Sequence, residues 1–168
     1  MKKTVFKFGM YGAVAISALF LTSWLALSDL SFSTQEVLGY ISIILSLCFV
    51  YFGIKSYRDT ENNGKISFKK ALVIGVLISL IVSVIFGILD VFYIKVINPD
   101  FTAEYYESSI ETMKASLPKM EFEAKLAEME SQKALFANPF FSFAIMGMTV
   151  FVIGFIISLI SALTLQRK

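Results

Sequence analysis

The chain has 168 residues, 57% hydrophobic and 17% charged, with a formal net charge of +2 and a mean hydropathy of +0.73. A soluble domain carries about 25% charged and 45–50% apolar residues. The apolar excess therefore asks for lipid as part of the solvent, and argues against a soluble enzyme, a disordered regulator or a secreted disulfide scaffold. Histidine is absent and Cys48 is the single cysteine. The commonest general base and metal ligand are thus missing, and neither an intrachain disulfide nor a cysteine zinc cluster is available. Cys48 lies inside an apolar run and reads as a small apolar residue buried in lipid or protein. The small charge, with no basic stripe interleaved with aromatics, gives no sign of a nucleic-acid partner.

A helix needs about 20 apolar residues to cross the hydrocarbon core, and four runs qualify. The first is uncharged from Phe8 to Leu27. Lys2 and Lys3 before it also fit a cleavable signal, but the run is longer than a signal core and no A-x-A site follows, so it reads as a retained span. A short loop from Ser28 to Glu36, with Asp29 and Glu36 and no bases, leads to the second run, Val37 to Ile54. The third is uncharged from Ala71 to Leu89, meets Asp90 and continues to Ile94; the fourth runs from Phe140 to Leu165. Backbone amides in lipid must be satisfied within the segment, so continuous runs are helices. The expectation is an all-α fold: a bundle of four transmembrane helices in a single integral membrane domain, 1–168, with spans at about 8–27, 37–54, 71–94 and 140–165.

Orientation follows from the bases, which prefer cytoplasmic loops. Lys2, Lys3 and Lys7 precede the first span. Lys55, Arg58, Lys65, Lys69 and Lys70 fill the second loop against Asp59 and Glu61, and Arg167-Lys168 end the chain. The long third loop, Lys95 to Pro139, holds more acids than lysines. Both termini and the second loop are therefore expected in the cytoplasm, and the third loop outside. Trp24, Tyr40 and Tyr93 near the outer ends, with Tyr51 and Tyr57 near the inner ends, read as interfacial belts.

The second loop, Asp59 to Lys70, is close to an EF-hand calcium loop, with oxygen side chains at positions 1, 3, 5 and 9 and Gly64 at position 6. Lys70 stands where the bidentate glutamate belongs. The loop therefore reads as a tight turn at Asn63-Gly64, which accepts positive φ, followed by Ser67 capping the third helix. Lys55, Arg58, Lys69 and Lys70 around that turn are candidate contacts for anionic headgroups. The run Tyr51-Phe52-Gly53-Ile54-Lys55-Ser56-Tyr57-Arg58-Asp59, then Gly64-Lys65-Ile66-Ser67-Phe68-Lys69-Lys70-Ala71 and Gly75, resembles domain-of-unknown-function family 4199. So does the order of two spans, a basic loop, a span, a long acidic loop and a last span. The resemblance implies four helices in a bacterial inner membrane and carries no activity, cofactor or catalytic residue to transfer.

The third span carries small residues every four positions: Ala71, Gly75, Ser79, Ser83 and Gly87. Small residues let membrane helices approach closely, so this stripe is the expected packing face, either within the chain or between copies. Gly9, Ala13 and Ser17 in the first span, and Gly154, Ser158 and Ala162 in the fourth, repeat the spacing. Asp90 is the one ionisable residue within a span. Such a carboxylate is a candidate proton or cation site. Yet it lies roughly 29 Å along the helix from Ala71, near the outer edge, where it can snorkel or be capped.

In the third loop, Thr102 to Leu117 and Lys119 to Ala137 read as two helices broken at Pro118. Their apolar stripes are Tyr106, Ile110, Met113 and Leu117, and Phe122, Leu126, Met129 and Leu135-Phe136. The loop 98–139 is thus expected to be an extracytoplasmic helical hairpin that lies on the membrane or caps the bundle. No catalytic constellation, cofactor site or metal site stands out. Two function classes remain: a non-enzymatic accessory, interaction or envelope subunit in the inner membrane, partnered by the bilayer and by a membrane protein or its own copies; or a small oligomeric transporter or channel using Asp90. A membrane enzyme built on Glu121, Glu123, Glu128 and Glu130 is disfavoured, because a spacing of two puts neighbouring acids on different helix faces.

Overall fold

The computed structural model describes every residue except Ser28, Asp29, Ala137 and Lys168, and leaves out the side chains of Gln132, Lys133, Ala134 and Phe136. The expected roles of Asp29 and Lys168 in the charge pattern, and of Phe136 and Ala137 in the hairpin, thus lie outside the described residues. The described chain is helical: α1 (Lys2–Ala26), α2 (Phe32–Ser56), α3 (Phe68–Phe92), α4 (Phe101–Ser116), α5 (Lys119–Phe136) and α6 (Pro139–Leu165). Short π-helical turns, Tyr57–Glu61 and Tyr93–Ile97, prolong α2 and α3. The helices at 2–26, 32–61, 68–97 and 139–165 are long and apolar enough to cross a membrane.

Helix ends sit where local chemistry puts them, outside the apolar runs. α2 starts at Phe32 because Ser31 caps it, its hydroxyl accepting from the Thr34 amide at 3.4 Å and meeting the Thr34 hydroxyl at 2.9 Å. The expected loop to Glu36 is therefore partly helical: apolarity marks where lipid can lie, and a helix continues until its backbone is capped. α3 begins as expected, with the Ser67 hydroxyl accepting from the Lys70 amide at 3.4 Å. Asn63 and Gly64 both have positive φ, 52° and 77°, and form the turn before it. Leu117, ahead of Pro118, is extended at φ −107°, ψ 147°; the proline ring excludes the helical conformation there, which separates α4 from α5.

Two compact units make up the fold, divided within α3 and α6: Met1–Phe86 with Met146–Lys168, and Gly87–Ile145. In the first, α3 buries two adjacent rows at four-residue spacing. The large row is Ile74, Ile78, Val82 and Phe86; the small row is Ala71, Gly75, Ser79 and Ser83. The large row meets α1 and α2. Val82 lies against Gly12, where an added Cβ would stand 2.7 Å from it; Ile78 fills the space beside Gly53; and the Phe86 ring packs 4.4 Å from Phe20. The small row meets α6. Buried serines on these helices satisfy their hydroxyls locally: Ser42 on Leu38 O, Ser46 on Ser42 O and Ser79 on Gly75 O, at 2.8, 2.8 and 2.9 Å. Cys48 is exposed on α2 and donates to Ile44 O, so it does not pack inside the protein.

In the second unit, Tyr93 is buried and meets Phe101 edge-on at 5.3 Å, and Phe101 stacks on Tyr105 at 6.4 Å. Burial corrects the interfacial-belt reading of Tyr93; Tyr57, also read as a belt residue, is buried in the first unit. The expected stripes of α4 and α5 are half-buried at Ile110, Met113, Phe122, Leu126 and Met129. Buried Tyr106 donates its hydroxyl to the Met129 carbonyl. Burial, followed by the charge of Glu130, pushes the Tyr106 phenol above its ordinary pKa.

Candidate functional site

Three polar arrangements lie within or beside the apolar helices, and the small-residue stripe is the most extended. Gly75 and Gly154 have no side chain, and each faces a serine of the opposite helix. A Cβ on Gly75 would lie 2.7 Å from Ser158 Oγ; one on Gly154 would lie 2.6 Å from both Cβ and Oγ of Ser79. The pairing is reciprocal and antiparallel, and it brings the two hydroxyls to 3.3 Å. Farther along, a Cβ on Gly147 would approach Ser83 O at 3.3 Å. In the second unit, Gly87 lies against Phe143. Ala71, Gly75, Ser79, Ser83 and Gly87 therefore serve close packing within the chain. The expected faces on α6, Gly154 and Ser158, take part. On α1 the tight positions are Gly9, against Ile81, and Gly12, against Val82 and Ser46 O.

The second arrangement is a buried pair. Asp90 is 5% exposed, and its Oδ2 accepts a 2.6 Å hydrogen bond from the Ser142 hydroxyl. Snorkelling is thus replaced by capping from the first turns of α6. Asn138 holds that segment: its side chain accepts from the Phe140 amide at 2.9 Å, and its carbonyl from the Ser142 amide at 3.0 Å. A carboxyl and a hydroxyl in an apolar setting can exchange a proton or share a cation. Among the described residues no group of three His, Cys, Asp or Glu side chains is placed to hold a metal.

The third gathers the 57–67 segment. Arg58 is 7% exposed; its Nε and Nη2 donate to the two carboxylate oxygens of Asp59 at 2.6 and 3.1 Å, and Nη1 reaches Leu165 O at 3.4 Å. It therefore caps the last turn of α6, where the carbonyl end of the helix favours a cation. The headgroup contact expected of Arg58 is corrected accordingly. Ile66 and Arg167 pair as an isolated β-bridge, with N–O distances of 2.9 and 2.8 Å. Glu61 accepts from the Met1 amino group and the Thr4 hydroxyl. Asp59 and Glu61, the first two oxygens of the calcium-loop pattern, are thus turned to separate partners. Lys55, Asn63, Lys69 and Lys70 are exposed, Gly64 is half-buried, and Lys70 Nζ sits 5.1 Å over the Tyr57 ring.

Ser142, Gly12, Gly53 and the Arg58 cap escaped the sequence reading. Ser142 carried a weak signal, a hydroxyl near the start of an apolar helix after Asn138-Pro139. Arg58 carried a misleading one, since a base in a basic loop usually faces water.

No curated protein and no solved structure matches the chain. A family model described as "Protein of unknown function (DUF4199)" matches residues 7–167, nearly the whole chain, and the chain belongs to that family.

Proposed function

We propose that the chain is a single, four-span integral domain of a bacterial inner membrane that acts without catalysis, as an accessory or interaction subunit. In this reading both termini and the 55–70 loop are cytoplasmic, and the α4–α5 hairpin is outside. Four long apolar helices and the distribution of bases support the placement. The observation that carries the functional part is how buried polar groups are spent. Ser79 and Ser158 donate to Gly75 O and Gly154 O, Asp90 is held by Ser142, and Arg58 by Asp59 and Leu165, and among the described residues no buried side-chain oxygen or nitrogen lacks a partner. Interior chemistry is therefore devoted to holding helices, which leaves the outer faces and the hairpin for a membrane-protein partner or a second copy. A photocrosslinking residue at Glu111 or Glu128 should yield one discrete protein adduct in cells. Adducts to lipid alone, or a catalytic turnover by the isolated chain, would overturn this reading.

Asp90 specifically favours a second reading, a small oligomeric transporter or channel in which it is the proton or cation site. Purified protein in sealed vesicles should then conduct protons or cations, and Asp90→Asn should abolish the flux. Equal flux from protein-free vesicles would dismiss this reading.

A further inference from the structure

Within the unit formed by Met1–Phe86 and Met146–Lys168, four helix ends are tied together. Glu61 joins the start of α1 to the turn after α2, Arg58 joins that turn to the end of α6, and the Ile66–Arg167 bridge joins the approach to α3 to the same end. These ties also consume the acids. Asp59 is gripped by Arg58, and Glu61 by the Met1 amine and Thr4. Among the described residues they are the only carboxylates on these segments. The remaining cations are all exposed: Lys2, Lys3 and Lys7 on α1; Lys55 on α2; Lys69 and Lys70 at the start of α3; and Lys65 and Arg167 at the isolated bridge. Asp59 and Glu61 stay exposed, each already paired, among eight exposed cations, so this end of the unit is strongly positive.

One of these cations, Lys7, borders exposed apolar surface. Lys7 Nζ lies 5.7 Å from the Phe8 ring centre and 5.8 Å from that of Tyr11. Phe6, Tyr11 and Phe52 nearby are 64%, 47% and 50% exposed. A ligand suited to both needs a phosphate for the lysines and hydrocarbon for the rings. A soluble polyanion meets only the first requirement.

We propose that this end of the protein is a docking surface for anionic phospholipid headgroups. Lys2, Lys3, Lys7, Lys65 and Arg167 act in it beside Lys55, Lys69 and Lys70, while Arg58 positions the helix ends. The proposal rests on the membrane reading above. Each cation near an anionic surface contributes about fivefold in lipid affinity, so selectivity belongs to the cluster and falls with salt.

The test uses the full chain in phosphatidylcholine vesicles doped with spin-labelled phosphatidylglycerol or spin-labelled phosphatidylcholine. Flotation first establishes that the protein is in the membrane; failure at that step sinks the membrane reading itself. With the protein inserted, the motionally restricted fraction should be larger for phosphatidylglycerol, and high salt should erase the difference. The variant Lys55→Gln/Lys65→Gln/Lys69→Gln/Lys70→Gln should lower the selectivity at least about tenfold. The salt series on the unmodified protein serves if that variant fails to fold. Equal restricted fractions for the two lipids at low salt would overturn the proposal, as would loss of selectivity to inorganic phosphate at an ionic strength where chloride leaves it intact, which would make the surface a site for soluble anions.

Discussion

Adding one methyl group at Gly154 tests the packing of α3 against α6. In Gly154→Ala the new Cβ would stand 2.6 Å from Ser79 Cβ and Oγ and 3.2 Å from Leu47 Cδ2, whereas carbon atoms rest about 3.5–4.0 Å apart. The Ser79 hydroxyl can rotate away, but its Cβ is fixed to the α3 backbone, so the helices must separate by about 1 Å locally. Such overpacking costs about 1–3 kcal/mol, and the rigid obstacle puts this case near the upper end. Alanine returns up to about 1 kcal/mol in helix propensity, leaving a net loss of about 2 kcal/mol. Ser79→Gly removes the obstacle, so Gly154→Ala added to Ser79→Gly should cost less than about 0.5 kcal/mol further, a coupling within the range of touching residues. Gly39→Ala is the control: its Cβ would meet only Phe20 carbons, at 3.6 and 3.7 Å, and should be neutral or stabilising. Reversible unfolding of the purified variants in mixed detergent measures all four. Gly154→Ala as stable as Gly39→Ala, or no rescue by Ser79→Gly, would refute the reasoning.

Ser142→Ala should destabilise the protein by about 1–3 kcal/mol in the same assay, because it leaves the buried Asp90 carboxyl without its donor; Asp90→Asn, which keeps an acceptor for Ser142, should cost less. Arg58→Gln should lower the melting temperature in detergent more than Lys55→Gln does, since Arg58 caps α6 while Lys55 is exposed. Gly64→Ala should cost about 1 kcal/mol in unfolding free energy although nothing lies within 4 Å of its added Cβ, because a φ of 77° strains an L residue.

Helix number and order were legible because four apolar runs long enough to cross a membrane stand apart from the charged segments between them. The small row of α3 was legible because Gly75, Ser79 and Ser83 stand out among isoleucines and valines. The large row beside it was not: in a helix apolar all round, Ile74, Ile78 and Val82 look the same as the exposed Val73, Leu77 and Leu80, and only contacts such as those with Gly12 and Gly53 distinguish them. Asp90 announced itself as a carboxylate in a span, whereas Ser142 needed the fold to bring residues far apart in sequence within 2.6 Å. Arg58 was misplaced for a related reason, since its acceptor at Leu165 lies at the far end of the chain.

Cysteine accessibility in intact cells tests the four-span account most directly. With Cys48 replaced by serine, single substitutions Glu111→Cys and Glu128→Cys on the α4–α5 hairpin and Lys65→Cys in the basic turn would be exposed to a membrane-impermeant thiol reagent before and after permeabilisation. The account predicts labelling at Glu111→Cys and Glu128→Cys in intact cells, and at Lys65→Cys only once the membrane is opened. Labelling of Lys65→Cys and Glu111→Cys from the same side would contradict it.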